Sequence, residues 1–239
     1  MKGREIYQRT RDSSWLLSQA QDLILRSWDS ASNSEFARLY RQIRPYTMSS
    51  NARLRGLYRG VRSVVSNQTP GDVVECGTAR GGSAALMGLT LNRLGARRGL
   101  WVFDTFEGLP PPTLDDPDFE TAKLYTGECR GELEEVVALF ERLGILSNTS
   151  FVKGLFQETL PACEVQKIAF LHIDGDWYDS VRVCLDHLYD RVSPGGIIQI
   201  DDYGHWAGAR KAVDEFLRQR SIDVPLERLD YTGRQFVKP

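Results

Sequence analysis

The strongest constraint on this chain is a change of hydrophobic period near residue 70. From Asp72 onward, short apolar runs alternate with longer amphipathic segments. DVVECG (72–77), GLWVFD (99–104), TSFVKG (149–154), KIAFLHID (167–174) and IIQIDD (197–202) have the length and composition of buried strands. GGSAALMGLTLNRLG, GELEEVVALFERLG, DSVRVCLDHLYDRV and GARKAVDEFLRQR carry helical spacing. Such alternation predicts an α/β, Rossmann-like fold, with a mostly parallel sheet and helices on both faces. PLERLDY and RQFVKP, around Thr232-Gly233, predict a closing antiparallel hairpin, which brings the sheet to seven strands.

The chain before this alternation reads as helix. Ser13–Ser14 is placed to cap WLLSQAQDLILRSW, EFARLYRQI ends at Arg44–Pro45, and NARLRGLYRGVRSVV runs to a turn at Gln68–Gly71. The expected organisation is an N-terminal helical cap over 1–66 on a core over 67–239, within one domain. No internal repeat or flexible linker interrupts it.

Composition narrows the function classes. The 239 residues include 30 basic and 32 acidic side chains, for a net charge of −2, and 41% are hydrophobic. This excludes a disordered or collagen-like chain and a basic nucleic-acid module. The four cysteines, Cys76, Cys129, Cys163 and Cys184, form no CxxC pair and match no zinc spacing. Cys76 and Cys184 lie in apolar runs and read as small core residues. The opening MKGREIYQRTRDSS carries charges where a signal peptide needs an apolar stretch, and no apolar run approaches the roughly 20 residues of a membrane span. The expectation is a cytoplasmic protein acting on a small molecule, with no membrane or nucleic-acid partner.

In doubly wound sheets, ligands bind at the carboxyl ends of the strands. The first strand ends in an E-x-G-x-x-x-G-G-S loop, from Glu75 to Ser83, which lets a ligand approach the backbone and aims helix N-terminal amides at it. The spacing is not the GxGxxG of nicotinamide and flavin proteins. Asp104 ends the second strand, where an acid can accept hydrogen bonds from a ribose diol. The fourth strand ends in Asp174-Gly175-Asp176 and the fifth in Asp201-Asp202. Gathered carboxylates repel and need a cation or raised pKa values. Oxygen ligands without thiols or paired histidines suit Mg²⁺, Mn²⁺ or Ca²⁺. The plain alternative for each acid is a helix cap or solvated loop residue.

VVECGTARGGSAA, VFDTFEGLPPP, LHIDGDWYDS, SPGGIIQIDDYGHWAGARKAVDEF and the earlier RPYTM resemble the blocks of macrocin O-methyltransferases. These are metal-dependent sugar methyltransferases of antibiotic pathways, with a class I methyltransferase fold. The similarity covers residues 44–218. The first 40 residues and the 113–130 loop show no match and are expected to set substrate choice.

The resemblance implies S-adenosylmethionine as methyl donor. Glu75, Gly77 and Ser83 would shape the loop along it, and Asp104 would bind both ribose hydroxyls. Thr47 and Met48 would close over it, with Gly154 and Phe156 near the adenine. Asp174, Asp201 and Asp202 would hold the metal, with Mg²⁺ or another divalent cation completing its six positions with a vicinal diol and one water. Asp176 is the first candidate for the base, lying two residues beyond Asp174 and on the same side if that segment is extended. Asp174 and His205 are the alternatives. Some catechol methyltransferases carry a lysine just after the corresponding Asp, whereas here Trp177 and Tyr178 follow. Trp177, Tyr178, Tyr203 and Trp206 flank the acids, as sugar-stacking faces or as ordinary packing.

The favoured reading is methylation of a glycoside hydroxyl by a homodimer or higher homo-oligomer. The same chemistry on a catechol is the alternative. An NAD-dependent oxidoreductase is a more remote reading, because GxGxxG is missing.

Overall fold

The computed structural model describes residues 13–239. Seven strands form one sheet: β1 (Asp72–Cys76), β2 (Leu100–Asp104), β3 (Thr149–Lys153), β4 (Ile168–Ile173), β5 (Val192–Ile200), β6 (Glu227–Arg228) and β7 (Arg234–Val237). Their order is β3-β2-β1-β4-β5-β7-β6. β1 to β5 pair in parallel, and β7 pairs antiparallel with both β5 and β6. The order reverses between β1 and β4, and the crevice above that point is where such sheets take ligands.

Seven helices of eight residues or more surround the sheet among the described residues: α1 (Ser13–Ala31), α2 (Glu35–Ile43), α3 (Asn51–Ser66), α4 (Gly82–Arg93), α5 (Leu133–Arg142), α6 (Tyr178–Leu188) and α7 (Ala207–Gln219). Helices α2 to α5 cover one face and share a core with Val73, Val102, Phe170 and Ile197. Helices α6 and α7 cover the other, against Val74, Phe103, Leu171 and Ile198. The period of two along each strand makes this division. The boundary expected near residue 66 falls between α3 and β1, and one apolar core crosses it. Cys76 and Cys184 are buried in the second core.

Local chemistry starts the cap helices. The Ser34 hydroxyl accepts from the Ala37 amide at 3.2 Å, and the Ser50 hydroxyl from the Arg53 amide at 3.2 Å. The side chains of Ser13 and Ser14, expected to cap α1, lie outside the described residues.

Two boundaries depart from expectation. β5 begins at Val192, not at Ile197, because a register shift against β4 absorbs Pro194-Gly195 within the strand. Asp201 and Asp202 then lie just past its end. The 113–130 loop contains a helical turn, Phe119–Ala122, continued by a 3-10 turn, Lys123–Tyr125. No described helix is long and apolar enough to cross a membrane.

Candidate active site

A cavity of about 550 Å³ opens over the carboxyl ends of β1, β2, β4 and β5. Its floor includes Gly77, Ser83, Asp104, Asp174, Asp176, Asp201 and Asp202. The segment Pro45–Ser49 and Arg53 come from the cap, and Gly108–Pro110 and Gly127–Arg130 from the long loop. Gly77 has φ +90°, and a Cβ there would lie 1.9 Å from the Asp174 carbonyl oxygen. Only glycine lets the loop cross so near β4. A Cβ on Gly82 would lie 2.6 Å from the Tyr46 carbonyl oxygen, so the start of α4 lies directly against the cap segment.

Asp104 clamps the loops of this floor. Its Oδ2 accepts from the amides of Thr78 (2.6 Å) and Ala79 (3.1 Å), and its Oδ1 from the Phe106 amide (2.7 Å) and the Thr105 hydroxyl (3.4 Å). Burial raises its pKa against the pull of these amides. The expected pairing with two ribose hydroxyls would have to share the carboxylate with these bonds. Three short amide bonds occupy the carboxylate, and only the long Thr105 contact is easily exchanged.

Beneath the acids runs a polar row that sequence reasoning missed. Glu75 on β1 stands opposite His172 on β4, which stands opposite Gln199 on β5. All three are fully buried. His172 Nδ1 lies 2.8 Å from Glu75 Oε1, and Nε2 lies 3.4 Å from Asp201 Oδ1. Burial works against a charged imidazole, but the bonds to Asp201 and Glu75 prevail and bring its pKa to about 9. At neutral pH it is an imidazolium donating to two carboxylates. Arg53 of α3 pairs with Asp201 and, at 3.1 Å, with Asp230 in the turn before β7. The signal was present in the sequence: VVECG, FLHID and IIQID each place a polar residue one or two positions before the strand end, on the same face. Arg53 had no such signal, since its role depends on how α3 docks.

The acids above this row have unequal surroundings. Burial pushes Asp201 up, but Arg53 and His172 more than offset it, and its pKa is lowered. Asp174 is raised well above the carboxylate range by burial and by the charges of Asp201, Asp202 and Asp176. Asp176 is raised by burial and by Asp202. Asp202 rises to about 7 through burial and the charge of Asp201. Ligand atoms of His172, Asp174 and Asp201 lie within 4.8 Å of one another, as do those of Asp174, Asp176 and Asp202. The expected trio of Asp174, Asp201 and Asp202 thus spans two overlapping groups that share Asp174.

The structure places the other expected residues unequally. Thr47, Met48, Gly77, Ser83 and Phe156 line the cavity. Gly154 does not; its amide donates to the Asp104 carbonyl at 3.0 Å, and Leu155–Gln157 reach the wall instead. Glu75 lies under the floor, because strand alternation turns it into the polar row. Asp176 reaches the cavity by a different route from the expected one. Its φ is +57°, so the segment turns there, and its amide meets Asp202 Oδ2 at 3.2 Å. Asp tolerates this left-handed conformation.

The aromatic expectation is corrected. Trp177 and Trp206 are 2% and 3% exposed and pack edge to face in the second core. Trp177 donates to the Pro110 carbonyl at 2.7 Å, and Trp206 to Asp176 Oδ1 at 2.8 Å. Tyr178 and Tyr203 bond Glu215 and Asp214 of α7, both at 2.8 Å or less, and do not line the cavity. His205 packs edge to face on Trp206 and Tyr231, outside the cavity wall. These rings are held by packing and by hydrogen bonds, of which only that of Trp206 reaches a cavity acid.

The long loop is tied to the two helices of this face. Asp116 Oδ1 accepts from the Tyr178 amide at 2.7 Å, and Asp118 Oδ2 from the Ala207 amide at 3.2 Å. Acids at helix N-termini are favourable. The loop therefore forms a fixed wall facing the cap across the cavity.

A doubly wound sheet in the order 3-2-1-4-5-7-6, with a glycine loop at β1 and an acidic floor at β4 and β5, defines a class I methyltransferase. The family model described as macrocin-O-methyltransferase (TylF) matches residues 7–238, and the chain belongs to that family. It is an O-methyltransferase. It is 37% identical, over 79% of its length and 74% of the relative's, to 8-demethyl-8-(2,3-dimethoxy-alpha-L-rhamnosyl)-tetracenomycin-C 4'-O-methyltransferase of Streptomyces olivaceus. It is 33% identical to mycinamicin III 3''-O-methyltransferase of Micromonospora griseorubida, over 79% of this chain and 76% of that one. The solved O-methyltransferase NovP superposes with a TM-score of 0.75 at 33% identity, covering 81% of this chain and 82% of that one.

Proposed function

We propose that this enzyme transfers a methyl group from S-adenosylmethionine to a hydroxyl of a sugar on a glycosylated natural product, with a divalent cation bound at Asp174, Asp201 and Asp202. The names of two relatives, a rhamnosyl-tetracenomycin 4'-O- and a mycinamicin 3''-O-methyltransferase, support the acceptor class. The observation that carries the metal is the acidic floor itself. Four aspartates crowd one end of the cavity, and burial together with their mutual repulsion raises the pKa values of three of them, Arg53 offsetting only part of this. Hard oxygen donors with an unmet demand for positive charge fit Mg²⁺.

Ser83 and the amides at the start of α4 would meet the donor's amino-acid part. Asp104 would take one ribose hydroxyl in place of the long Thr105 contact. Met48, 66% exposed, and Thr47 would cover the donor from the cap, and Phe156 would face its base. The cation, when bound, would hold two neighbouring hydroxyls and make one more acidic. Asp201, fixed by Arg53 and His172, and Asp202 would set the acceptor's position, since alignment with the methyl group is a large part of such a barrier. Asp176 would take the proton at a carboxylate that Trp206 orients through Oδ1.

The test is methyl transfer by the purified protein to a panel of rhamnosides and other glycosides, with catechols alongside, with and without EDTA. Transfer to glycosides that stops on chelation is expected. Undiminished turnover after exhaustive EDTA treatment overturns the metal role, and turnover of catechols alone overturns the sugar.

A further inference from the structure

Helix α1 is turned inside out. A helix packed on a domain normally buries its apolar stripe. Here the buried positions are Ser18, Asp22 and Asp29, at 9%, 8% and 0% exposure. Asp22 Oδ1 accepts from the Asn51 amide at 2.6 Å, and Asp29 Oδ2 from the Asn51 side chain at 2.6 Å. Asp29 also pairs with Arg55. The apolar side chains point away from the domain: Leu16, Leu17, Leu23, Ile24 and Trp28 are 61–69% exposed. At 3.6 residues per turn they fall within one arc of about 140°.

Beside this stripe runs a second concavity, between α1, α3 and the β6–β7 hairpin. Ile24 and Trp28 form one rim and Val237, 54% exposed, belongs to the other. We infer that this face of α1 and its groove are covered by a second copy of the same chain.

Three observations choose that occupant. The first is area. Five large side chains about two-thirds exposed make a patch of several hundred Å², at the upper end of what monomers show. With the groove walls it approaches the roughly 800 Å² per partner of a stable interface. The second is shape. Ridge and hollow lie on one face, so a two-fold axis can set each copy's Ile24 and Trp28 over the other's groove. The third is charge. The polar face of α1 carries one basic residue, Arg26, against Asp22 and Asp29, and these acids are buried on the domain, whereas a helix lying on a lipid surface needs a Lys/Arg-rich polar face.

The contact bears on the catalytic cavity. Asp22 holds the first amide of α3, two residues before Arg53, and Arg53 pairs with Asp201. A partner that steadies α1 therefore steadies the cap over the site.

Sedimentation across a dilution series tests this. The wild type is expected to sediment at twice 27.1 kDa or a higher even multiple. Leu23→Lys with Ile24→Lys is expected to lose that contact and halve the mass or more, with unchanged circular dichroism. Leu23→Met with Ile24→Leu is expected to keep the wild-type mass. Hydrogen exchange of the wild type needs no variant, and residues 16–28 are expected to gain protection as concentration rises. A wild type at 27.1 kDa throughout overturns the inference, including one that instead sediments with anionic vesicles. So does an assembly whose mass the charged pair leaves unchanged, or concentration-dependent protection confined to other segments.

Discussion

His172 Nδ1 sits 2.8 Å from Glu75 Oε1 across the β1–β4 pairing, with neither side chain exposed. Breaking one side of such a buried pair leaves the other charged and unpaired, at a cost of about 3–5 kcal/mol. Glu75→Ala is expected to lower the melting temperature by roughly 6–12 °C for the lower figure. Glu75→Gln, which keeps an acceptor, is expected to lose less. Thermal unfolding measures both, and equal losses would refute the hydrogen-bonding role.

Asp202 carries a burden that Asn would not. Its pKa of about 7 lies above the roughly 3.9 of an unfolded aspartate. Asp202→Asn is expected to raise the melting temperature of the metal-free protein at pH 8, because it removes one charge from a repelling group. The same variant is expected to lose at least about 100-fold in turnover, or about 2.7 kcal/mol. A variant both inactive and destabilised at pH 8 would instead mark Asp202 as a structural residue.

The stabilising effect of Mg²⁺ depends on pH through the same groups. The raised Asp202 contributes stability fully below about pH 4, and this is lost as pH rises through about 7. His172, raised to about 9, contributes fully below about 6.5 and loses it as pH rises through 9. The metal-free protein therefore weakens toward alkaline pH. A cation needs the deprotonated carboxylate, so the rise in melting temperature with Mg²⁺ is expected to be larger at pH 8 than at pH 6. A rise independent of pH would separate the metal from these acids.

Trp206 acts on Asp176 through a 2.8 Å hydrogen bond that holds down a pKa raised chiefly by burial. Trp206→Phe keeps most of the ring packing and removes the donor. The acidic limb of the pH–rate profile is expected to move to higher pH, with turnover at pH 7 reduced about 10-fold for each unit of movement. Lower turnover with an unmoved limb would assign Trp206 to packing alone and weaken the case for Asp176 as base.

The gathering of Asp104, Asp174, Asp176, Asp201 and Asp202 was legible before any coordinates. A parallel sheet collects its strand ends on one edge; Asp104, Asp174 and Asp201 directly follow apolar runs, and Asp176 and Asp202 come within two residues of these acids. The β1 glycine loop and the closing hairpin were legible for similar reasons, since positive-φ turns and two-residue signals are local. The same locality explains the errors. Trp177 and Trp206 adjoin the acids in sequence, yet their rings turn into the second core, because α6 and α7 pack there. Asp176 reaches the cavity through a left-handed turn that no extended reading contains.

The sequence by itself determined the fold class and the sheet edge that collects the acids, because the hydrophobic period shows which segments avoid water as strands or helices, and parallel strands end on one edge. Only the tertiary structure decided how the charge on that edge is divided. Cross-strand register sets Glu75 against His172, and the docking of α3 brings Arg53 to Asp201 from 148 residues away. It also turned α1 with its acids inward and its leucines outward. Both arrangements rest on partners distant along the chain, and hydrophobic periodicity carries no record of them.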